Sequence, residues 1–256
     1  MLQRTLSVLG DLVASIAGLM FPQHCIFCGE MAETLVCDEC AGKLTPVQHP
    51  ICPRCGKPLK TGVARSECLH CSSHPWHVDT ARALFIYEGQ GRDALHRFKY
   101  GRRRGLARFF GRELSRGAGD LNRLGALFNW DFGEEPEMVI PMPLHWWKRF
   151  LRWFNQSELI LKFYAPTLDL PVEPLVLKRT RFTRSQVGLT EPQRFANVRR
   201  AFVVPERAAG RVRGKRVLLL DDLVTTGATL NAAARALKGA GAKKVYALSF
   251  FTAVLK

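Results

Sequence analysis

The sequence has no long hydrophobic run: no stretch reaches the roughly 18 uninterrupted apolar residues that a membrane-spanning helix needs. It therefore predicts no stable membrane insertion. Acidic residues are scarce, 22 against 38 lysines and arginines, and the resulting net charge of +16 favours phosphate-rich partners. A nucleotide-hydrolysing P-loop is also missing, because the one Gly-Lys pair that follows a nearby glycine, Gly214-Lys215, is followed by Arg216 instead of serine or threonine.

What is present is enough apolar material for a folded protein. The chain has 256 residues, of which 47% are hydrophobic, so it can bury the core of one α/β domain and of a small module. Residues 1–22 predict an amphipathic helix, because leucines and other apolar residues recur at steps of four and three. The members of this stripe are Leu2, Leu6, Leu9, Val13, Ile16 and Met20.

This helix does not have the pattern of a signal peptide. Asp11 interrupts its apolar stretch, and no A-x-A cleavage pattern precedes the first cysteine. We expect the helix to dock on the body of the protein or on a partner. Reversible membrane contact is the weaker alternative, since its polar face carries little positive charge. A cytoplasmic protein is therefore expected.

The cysteines are confined to one short region. All eight lie between positions 25 and 71 and form four C-x2-C pairs, so none is left over. The pairs are Cys25/Cys28, Cys37/Cys40, Cys52/Cys55 and Cys68/Cys71. Two such pairs supply four thiolates to one tetrahedral zinc ion and leave no open ligand position, which predicts two structural Zn2+ sites. Redox pairs or an iron–sulfur cluster are the alternatives. Glycine after the first and third pairs favours two tandem ribbons, although interleaved pairing stays open.

The middle of the chain is strongly basic. Residues 92–112 contain eight arginines and lysines and a single acid, Asp93. Residues 95–114 predict a helix, a glycine-marked turn and a second helix, and residues 117–137 predict an irregular linker. Aromatic side chains interleave with the charges at Phe98, Tyr100, Phe109 and Phe110. They can stack on single-stranded bases or form a buried helical stripe. We favour burial, with part of the basic cluster facing phosphate.

Two segments predict a strand that leads into an anion-binding loop. The first is the apolar run Met138–Pro143, which ends at prolines. A basic loop that contains Lys148, Arg149 and Arg152 follows it. In an open α/β sheet, anions bind beyond the carboxyl ends of the strands. Taken alone, this segment is a weak signal.

The second segment is a full βαβ unit. A buried strand at Arg216–Leu220 is closed by Asp221 and Asp222, and a Thr/Gly turn, an alanine-rich helix and a strand from Lys244 follow. Backbone N–H groups and hydroxyls of such a turn suit a phosphate dianion. The carboxylate pair suits ribose hydroxyls, hydrated Mg2+ or positive charge that develops on a sugar ring. An ordinary strand end with aspartate as a helix cap explains one aspartate but not the pair together with the turn.

The run Val217–Thr229 resembles the phosphoribosyl-pyrophosphate loop of type I phosphoribosyltransferases. Other motifs resemble the ComF (GntX-like) family: Pro141-Met142-Pro143, Arg149, Arg152, Phe154-Asn155-Gln156, Lys178–Arg181, Thr183, Gln186, Leu189, Arg194, Asn197 and Ala201-Phe202. The resemblance covers about residues 20–252. It implies a double zinc ribbon at 23–75, followed at 76–256 by an α/β domain with the type I phosphoribosyltransferase fold, a mostly parallel sheet flanked by helices.

The resemblance also implies roles for individual residues. Asp221 and Asp222 would be the catalytic acids that hold the ribose. The 5′-phosphate would lie on the loop formed by Thr225, Thr226, Gly227, Ala228 and Thr229, and Leu223 and Val224 before it would also be substrate-binding residues. Pyrophosphate would be bound around Pro143, Arg149 and Arg152. The chain departs from the family pattern at Trp153, where glycine is expected before Phe-Asn-Gln, which puts the backbone of the pyrophosphate loop and the role of Arg152 in question.

By the same resemblance, the chain binds 5-phosphoribosyl-1-pyrophosphate with Mg2+ and takes part in DNA uptake or DNA utilisation. As an enzyme, it would be a phosphoribosyltransferase with an unidentified acceptor. The alternative is a non-catalytic sensor of the phosphoribosyl compound that binds single-stranded DNA as an accessory to the DNA-uptake machinery. The stretch before Gly188 would be a mobile loop that closes over the reaction, and a solvated basic loop is the alternative. After it, Thr190–Gln193 predicts a capping box that opens a short helix.

Overall fold

The computed structural model describes residues 24–59, 68–101, 103–119, 135–147, 153–183, 186 and 188–254. The predicted helix at 1–22 lies outside these residues, as do Arg149 and Arg152. The described chain forms two compact units that divide between Leu44 and Thr45. Within its described part, no helix is long and apolar enough to cross a membrane.

The first unit contains the first two cysteine pairs. Its short helix α1 spans Asp38–Gly42 and begins after Cys37, whose sulfur accepts a hydrogen bond from the backbone N–H of Cys40. Asp38 and Glu39 lie in the first turn, where negative charge is favourable to the helix dipole. Backbone hydrogen bonds from Cys25 to Glu30 and from Gly29 to Cys25 close the first knuckle.

The second unit begins with the other two cysteine pairs and continues into a four-stranded sheet. Helix α2 spans Leu69–Ser72. The strands of this unit are β1 (Thr80–Ile86), β2 (Met138–Pro141), β3 (Lys178–Arg179), β4 (Phe202–Val203), β5 (Arg216–Val224) and β6 (Lys244–Thr252). The remaining helices are α3 (Gly89–Tyr100), α4 (Leu106–Gly119), α5 (Gln156–Tyr164), α6 (Glu191–Val198), α7 (Glu206–Val212) and α8 (Ala228–Gly239), with a 3-10 turn at Ala165–Thr167.

The four long strands are parallel and lie in the order β1-β6-β5-β2. Strands β3 and β4 form a separate antiparallel pair. The sequence explains why β5 is central: Val217–Leu220 is apolar at every position and fully buried, as a parallel strand covered on both faces requires. The α/β architecture with a parallel sheet and helices is the one predicted from the sequence.

Strand β5 is longer than its apolar run predicts. It continues past Leu220 to Val224, so that Asp221 and Asp222 lie inside the strand instead of closing it. The reason is its neighbour, because β6 is equally long and pairs Asp221 with Ser249 and Val224 with Thr252. The ladder therefore carries the acidic pair to the carboxyl edge of the sheet in a fixed backbone geometry.

The basic middle folds as the predicted helix, glycine turn and helix, formed by α3, Gly101 and α4. Phe98 and Phe110 are completely buried and contact each other, with ring centroids 5.1 Å apart, which confirms burial for these two aromatics. Tyr100 is instead 61% exposed. Helix α4 continues to Gly119 and so includes the first residues of 117–137, for which the sequence predicts an irregular linker.

Helix α4 packs closely on α5 because of one glycine. A Cβ atom at Gly111 would lie 2.5 Å from the Cβ of Phe163, a distance that real side chains do not tolerate. The missing side chain thus lets the backbones of α4 and α5 approach each other. This contact fixes the position of α5, whose N-terminus faces the acidic pair.

Candidate functional site

A cavity of about 460 Å3 opens at the carboxyl ends of β5 and β2. Its lining comes from β5, from the segment that follows β2, from the starts of α5 and α8, from α3, and from β3, α6 and the chain between them. The lining residues are Tyr87, Arg92, Lys99, Met142, Leu144, Gln156, Ser157, Arg179, Gln186, Gly188, Arg194, Asp221, Asp222, Leu223, Val224, Thr225, Gly227, Ala228, Thr229 and Leu230. This is the edge of a parallel α/β sheet at which ligands bind.

The acidic pair lies at the centre of this lining. The ammonium group of Lys99 forms an ion pair with Asp222, with Nζ 2.7 Å from Oδ1, and both side chains are largely buried. Asp221 accepts a hydrogen bond from the backbone N–H of Asp222 at 2.9 Å and one from the Ser157 hydroxyl at 3.4 Å. The two carboxylates therefore have different partners: Asp222 pairs with a cation, whereas Asp221 accepts from two neutral donors.

This difference bears on the protonation of Asp221. Burial, together with the neighbouring Asp222 carboxylate, raises the pKa of Asp221 to about 7, although Lys99 acts in the opposite direction. Near neutral pH the carboxyl group is therefore partly protonated. A cation or a hydroxyl-bearing ligand beside it would favour the ionised form.

The turn after β5 leads directly into the start of α8. Gly227 is the N-cap of α8 and has a φ of 72°, in the left-handed region that favours glycine. A Cβ atom there would also lie 2.3 Å from the ring of Trp76. The loop thus requires glycine for two independent reasons. At its far end, the Thr229 hydroxyl accepts a hydrogen bond from the Gln186 side chain at 2.9 Å.

The start of α5 forms the opposite side of the cavity. Asn155 caps the helix by accepting from the backbone N–H of Ser157 at 3.1 Å, and it donates to the carbonyl of Met142 at 3.1 Å. This buried amide therefore ties α5 to the segment that follows β2. It fixes the position of Gln156 and Ser157 in the lining.

Trp153, two residues before Asn155, is the position at which the chain departs from the family pattern. It has a φ of 65°, in the region where bulky residues are rare and glycine is favoured. The chain therefore keeps a backbone conformation suited to glycine and holds a tryptophan in it. The indole is 71% exposed, so its bulk points away from the packed interior.

Most of the residues singled out from the sequence meet in this cavity. Asp221, Asp222, Leu223, Val224, Thr225, Gly227, Ala228 and Thr229 line it. Thr226 is buried under the loop, and Pro143 lies between the lining residues Met142 and Leu144. Arg149 and Arg152 fall outside the described residues, so their proposed contact with pyrophosphate stays a prediction.

Sequence reasoning had no specific role for the cations that surround the acidic pair. Arg92 and Lys99 come from α3, Arg179 from β3 and Arg194 from α6. Arg179 stacks over the Phe202 ring at 5.3 Å and donates to the Thr183 hydroxyl, which fixes its guanidinium. For Arg92 and Lys99 the signal was the density of basic residues at 92–112, whereas Arg179 and Arg194 belong to the motifs of the resemblance. Neither signal says which side chains face the site. At Thr190 the predicted capping box is present.

The cysteines form two separate clusters. One contains Cys25, Cys28, Cys37 and Cys40, the other Cys52, Cys55, Cys68 and Cys71, and within each cluster all four sulfurs lie within 4.8 Å of one another. The grouping is the tandem one. The sulfur–sulfur distances are 3.8 Å for Cys28–Cys37, 3.7 Å for Cys52–Cys71 and 3.6 Å for Cys55–Cys68. Four sulfurs at about 2.3 Å from one zinc ion are about 3.8 Å apart, so both clusters fit structural Zn2+.

Comparison with known proteins finds two family models that match this chain. Residues 16–72 match the family model of a double zinc ribbon domain, and residues 155–253 match that of a phosphoribosyl transferase domain. The chain is therefore a protein in which a double zinc ribbon precedes a phosphoribosyltransferase domain of type I fold.

Relatives along most of the length are more specific. The chain is 27% identical to Competence protein F of Haemophilus influenzae, over 88% of this chain and 95% of the relative. It is 27% identical to the DNA utilization protein YhgH of Escherichia coli, over 83% and 89%, and 26% identical to Competence protein ComFC of Bacillus subtilis, over 86% and 83%. The protein is thus a homologue of the ComF, ComFC and YhgH proteins.

Proposed function

We propose that the cavity binds 5-phosphoribosyl-1-pyrophosphate together with Mg2+. The observation that carries the proposal is the juxtaposition of Asp221 and Asp222 with the loop around Gly227 in one cavity lined by four cations. A loop of backbone N–H groups at a helix start suits a phosphate, and the acids suit the ribose. Neither feature alone would distinguish this ligand from a simple anion.

The parts of the ligand would be divided among three elements. The loop Thr225–Thr229 would hold the 5′-phosphate, and Asp221 and Asp222 would hold the ribose hydroxyls. The segment after Pro143, with Arg149 and Arg152, would hold pyrophosphate. Mg2+ would be held by the carboxylate of Asp221, a hard oxygen donor, together with oxygens of the bound compound, and it would neutralise phosphate charge.

Transfer would break the bond between the ribose C1 and pyrophosphate and form a new bond to an acceptor. Positive charge that develops on the ring would be stabilised by the acidic pair. The segment that carries Arg179, Gln186 and Arg194 would close over the cavity and exclude water. Two relatives carry the names Competence protein F and DNA utilization protein YhgH, and as part of the proposal we extend a role in competence or DNA utilisation to this chain.

Calorimetry with 5-phosphoribosyl-1-pyrophosphate and Mg2+ tests the site. Changing Asp221 and Asp222 to alanine should weaken binding at least roughly tenfold, because charge-assisted hydrogen bonds to the ribose are lost. Glu206→Ala, at an exposed carboxylate of α7, is the matched control and should bind as the wild type does. Equal affinity in the double variant and the wild type would refute the assignment. Release of pyrophosphate with a panel of bases then separates a transferase from a sensor.

A second candidate function, binding of single-stranded DNA, is favoured by one exposed feature. Tyr100 is 61% exposed at the end of α3, and the exposed Arg103 and Arg104 follow it in the turn. An exposed aromatic ring beside arginines suits base stacking and backbone contact. The same helix contributes Arg92 and Lys99 to the cavity, so a strand bound here would lie close to the phosphoribosyl site.

Neutralising Arg103 and Arg104 with glutamine should weaken the binding of a single-stranded oligonucleotide. It should also lower the slope of log affinity against log salt by about 1.4, because two phosphate contacts are lost. Fluorescence anisotropy across a salt series measures both quantities. Glutamine at the exposed Arg207 and Arg213 of the α7 region is the control of equal charge. If both pairs of changes have the same effect, binding is unspecific charge attraction and this turn is not the site.

A further inference from the structure

Lys57 is a buried lysine in the second cysteine cluster, two residues after Cys55. It is 5% exposed, and its ammonium group donates to two backbone carbonyls, those of Thr225 and Ala253. Lysine is almost never fully buried without a specific partner, because removing its charge from water is costly. Here the partners are main-chain oxygens, and one of them belongs to the loop that we assign to the 5′-phosphate.

The contact with Thr225 fixes a backbone direction. In a planar trans peptide the carbonyl of one residue and the N–H of the next point to opposite sides. Because Lys57 holds the Thr225 carbonyl on the side of the cysteine cluster, the N–H of Thr226 points away from it. Lys57 does not itself line the cavity formed by the described residues. Its effect on a ligand would therefore pass through the loop.

Two further contacts join the same cluster to the loop and its helix. The ring of Trp76 fills the space that a side chain at Gly227 would need. The Asn231 side chain of α8 donates to the Pro75 carbonyl at 2.8 Å and accepts from the His77 N–H at 2.6 Å. The loop and the first turn of α8 are thus held by the segment that follows Cys71.

The cluster also contacts the other wall of the cavity. The Glu191 carboxylate, in the first turn of α6, lies 3.5 Å from the His70 ring and 3.6 Å from that of His74. The same helix carries Arg194, which lines the cavity. The second cysteine cluster therefore touches two elements of the site.

We propose that Lys57 is a positioning residue for the 5′-phosphate loop, through which the second zinc ribbon acts as a structural part of the ligand site. This inference rests on the proposed function of the cavity. It adds that the ribbon affects the binding of only one end of the ligand. Binding of the 5′-phosphate end depends on Lys57, whereas binding of pyrophosphate, at the opposite side of the cavity, does not.

Lys57→Met tests the proposal, because methionine keeps the length and apolar stem of the side chain and removes its donors. Calorimetry with ribose 5-phosphate, with 5-phosphoribosyl-1-pyrophosphate and with inorganic pyrophosphate, each with Mg2+, separates the two ends of the ligand. We expect the first two to bind at least about tenfold more weakly and pyrophosphate to bind unchanged. Lys43→Met, at an exposed lysine of the first cluster, should match the wild type for all three.

Thermal unfolding of each variant accompanies the titrations. Should Lys57→Met fail to fold, Asn231→Ala releases the loop from the same segment by another contact and should show the same selectivity. Equal weakening of all three ligands, or of none, overturns the positioning role. If wild-type protein binds pyrophosphate but neither phosphoribosyl compound, the proposed function fails and this inference fails with it. Wild-type binding with no selectivity in the variants refutes the inference alone.

Discussion

Replacing Cys52 and Cys71 with serine should abolish phosphoribosyl-pyrophosphate binding and remove the cooperative unfolding transition of the second unit. The reason lies in the core. All four cysteines of the second cluster belong to one apolar cluster that also contains Trp76, Ile140 and Leu219. A structural zinc ion contributes on the order of 10 kcal/mol, as much as the whole stability of an ordinary domain. The ribbon cannot come apart without exposing the core that supports the sheet.

The matched change, Cys28→Ser with Cys37→Ser, affects a cluster that belongs to the other compact unit. It should remove one zinc ion per chain but leave the main unfolding transition and ligand binding in place. Metal content by elemental analysis, circular dichroism on heating and calorimetry measure the three quantities. A Cys52/Cys71 variant that has lost its zinc and still binds the ligand with full affinity would contradict the integral role of the second ribbon.

Asp221→Asn should stabilise the protein above neutral pH while it weakens ligand binding. In the native state the pKa of Asp221 is raised from 3.8 to about 7. Between these values the folded protein keeps a proton that the unfolded chain releases, so the stability contributed by this group falls as pH rises and is lowest above pH 7. Asparagine removes that cost and retains an acceptor for the Asp222 N–H. We expect up to about 4 kcal/mol of added stability at pH 8.

Urea unfolding at pH 5 and at pH 8 measures this difference. The gain over wild type should be large at pH 8 and small at pH 5, where the native carboxyl group is already protonated. Asp169→Asn is the control, because Asp169 is exposed and asparagine accepts its left-handed backbone equally well. An equal gain at both pH values would show that the effect does not come from ionisation of Asp221.

The parts of this protein that could be predicted are those in which local sequence decides the structure. Thiol pairs two residues apart can reach one metal ion whatever surrounds them, and a run such as Val217–Leu220 has few solutions other than a buried strand. Gly227 follows from the conformation that its turn requires. For the same reason the capping box at Thr190 was visible in the sequence.

The remaining features depend on contacts between distant segments. Lys99 pairs with Asp222 over 123 positions, and Lys57 reaches Thr225 over 168. No periodicity in the sequence around either lysine indicates these partners. The length of β5 likewise depends on β6, which begins 20 residues after Val224. Even the second zinc ribbon, which the sequence predicts as a metal site, gave no sign in its sequence that it contacts the loop Thr225–Thr229.

The strand order β1-β6-β5-β2 has a consequence for synthesis on the ribosome. Strand β1 pairs in parallel with β6, so Thr80 cannot pair until Tyr246 has been synthesised, 166 residues later. Such long-range pairing is slow, because the intervening chain must be closed into a loop first. The cysteines of both clusters, by contrast, are all translated by residue 71. A nascent chain can therefore take up both zinc ions long before it has a sheet, and the ribbon next to Lys57 is available as a surface on which the last strands assemble.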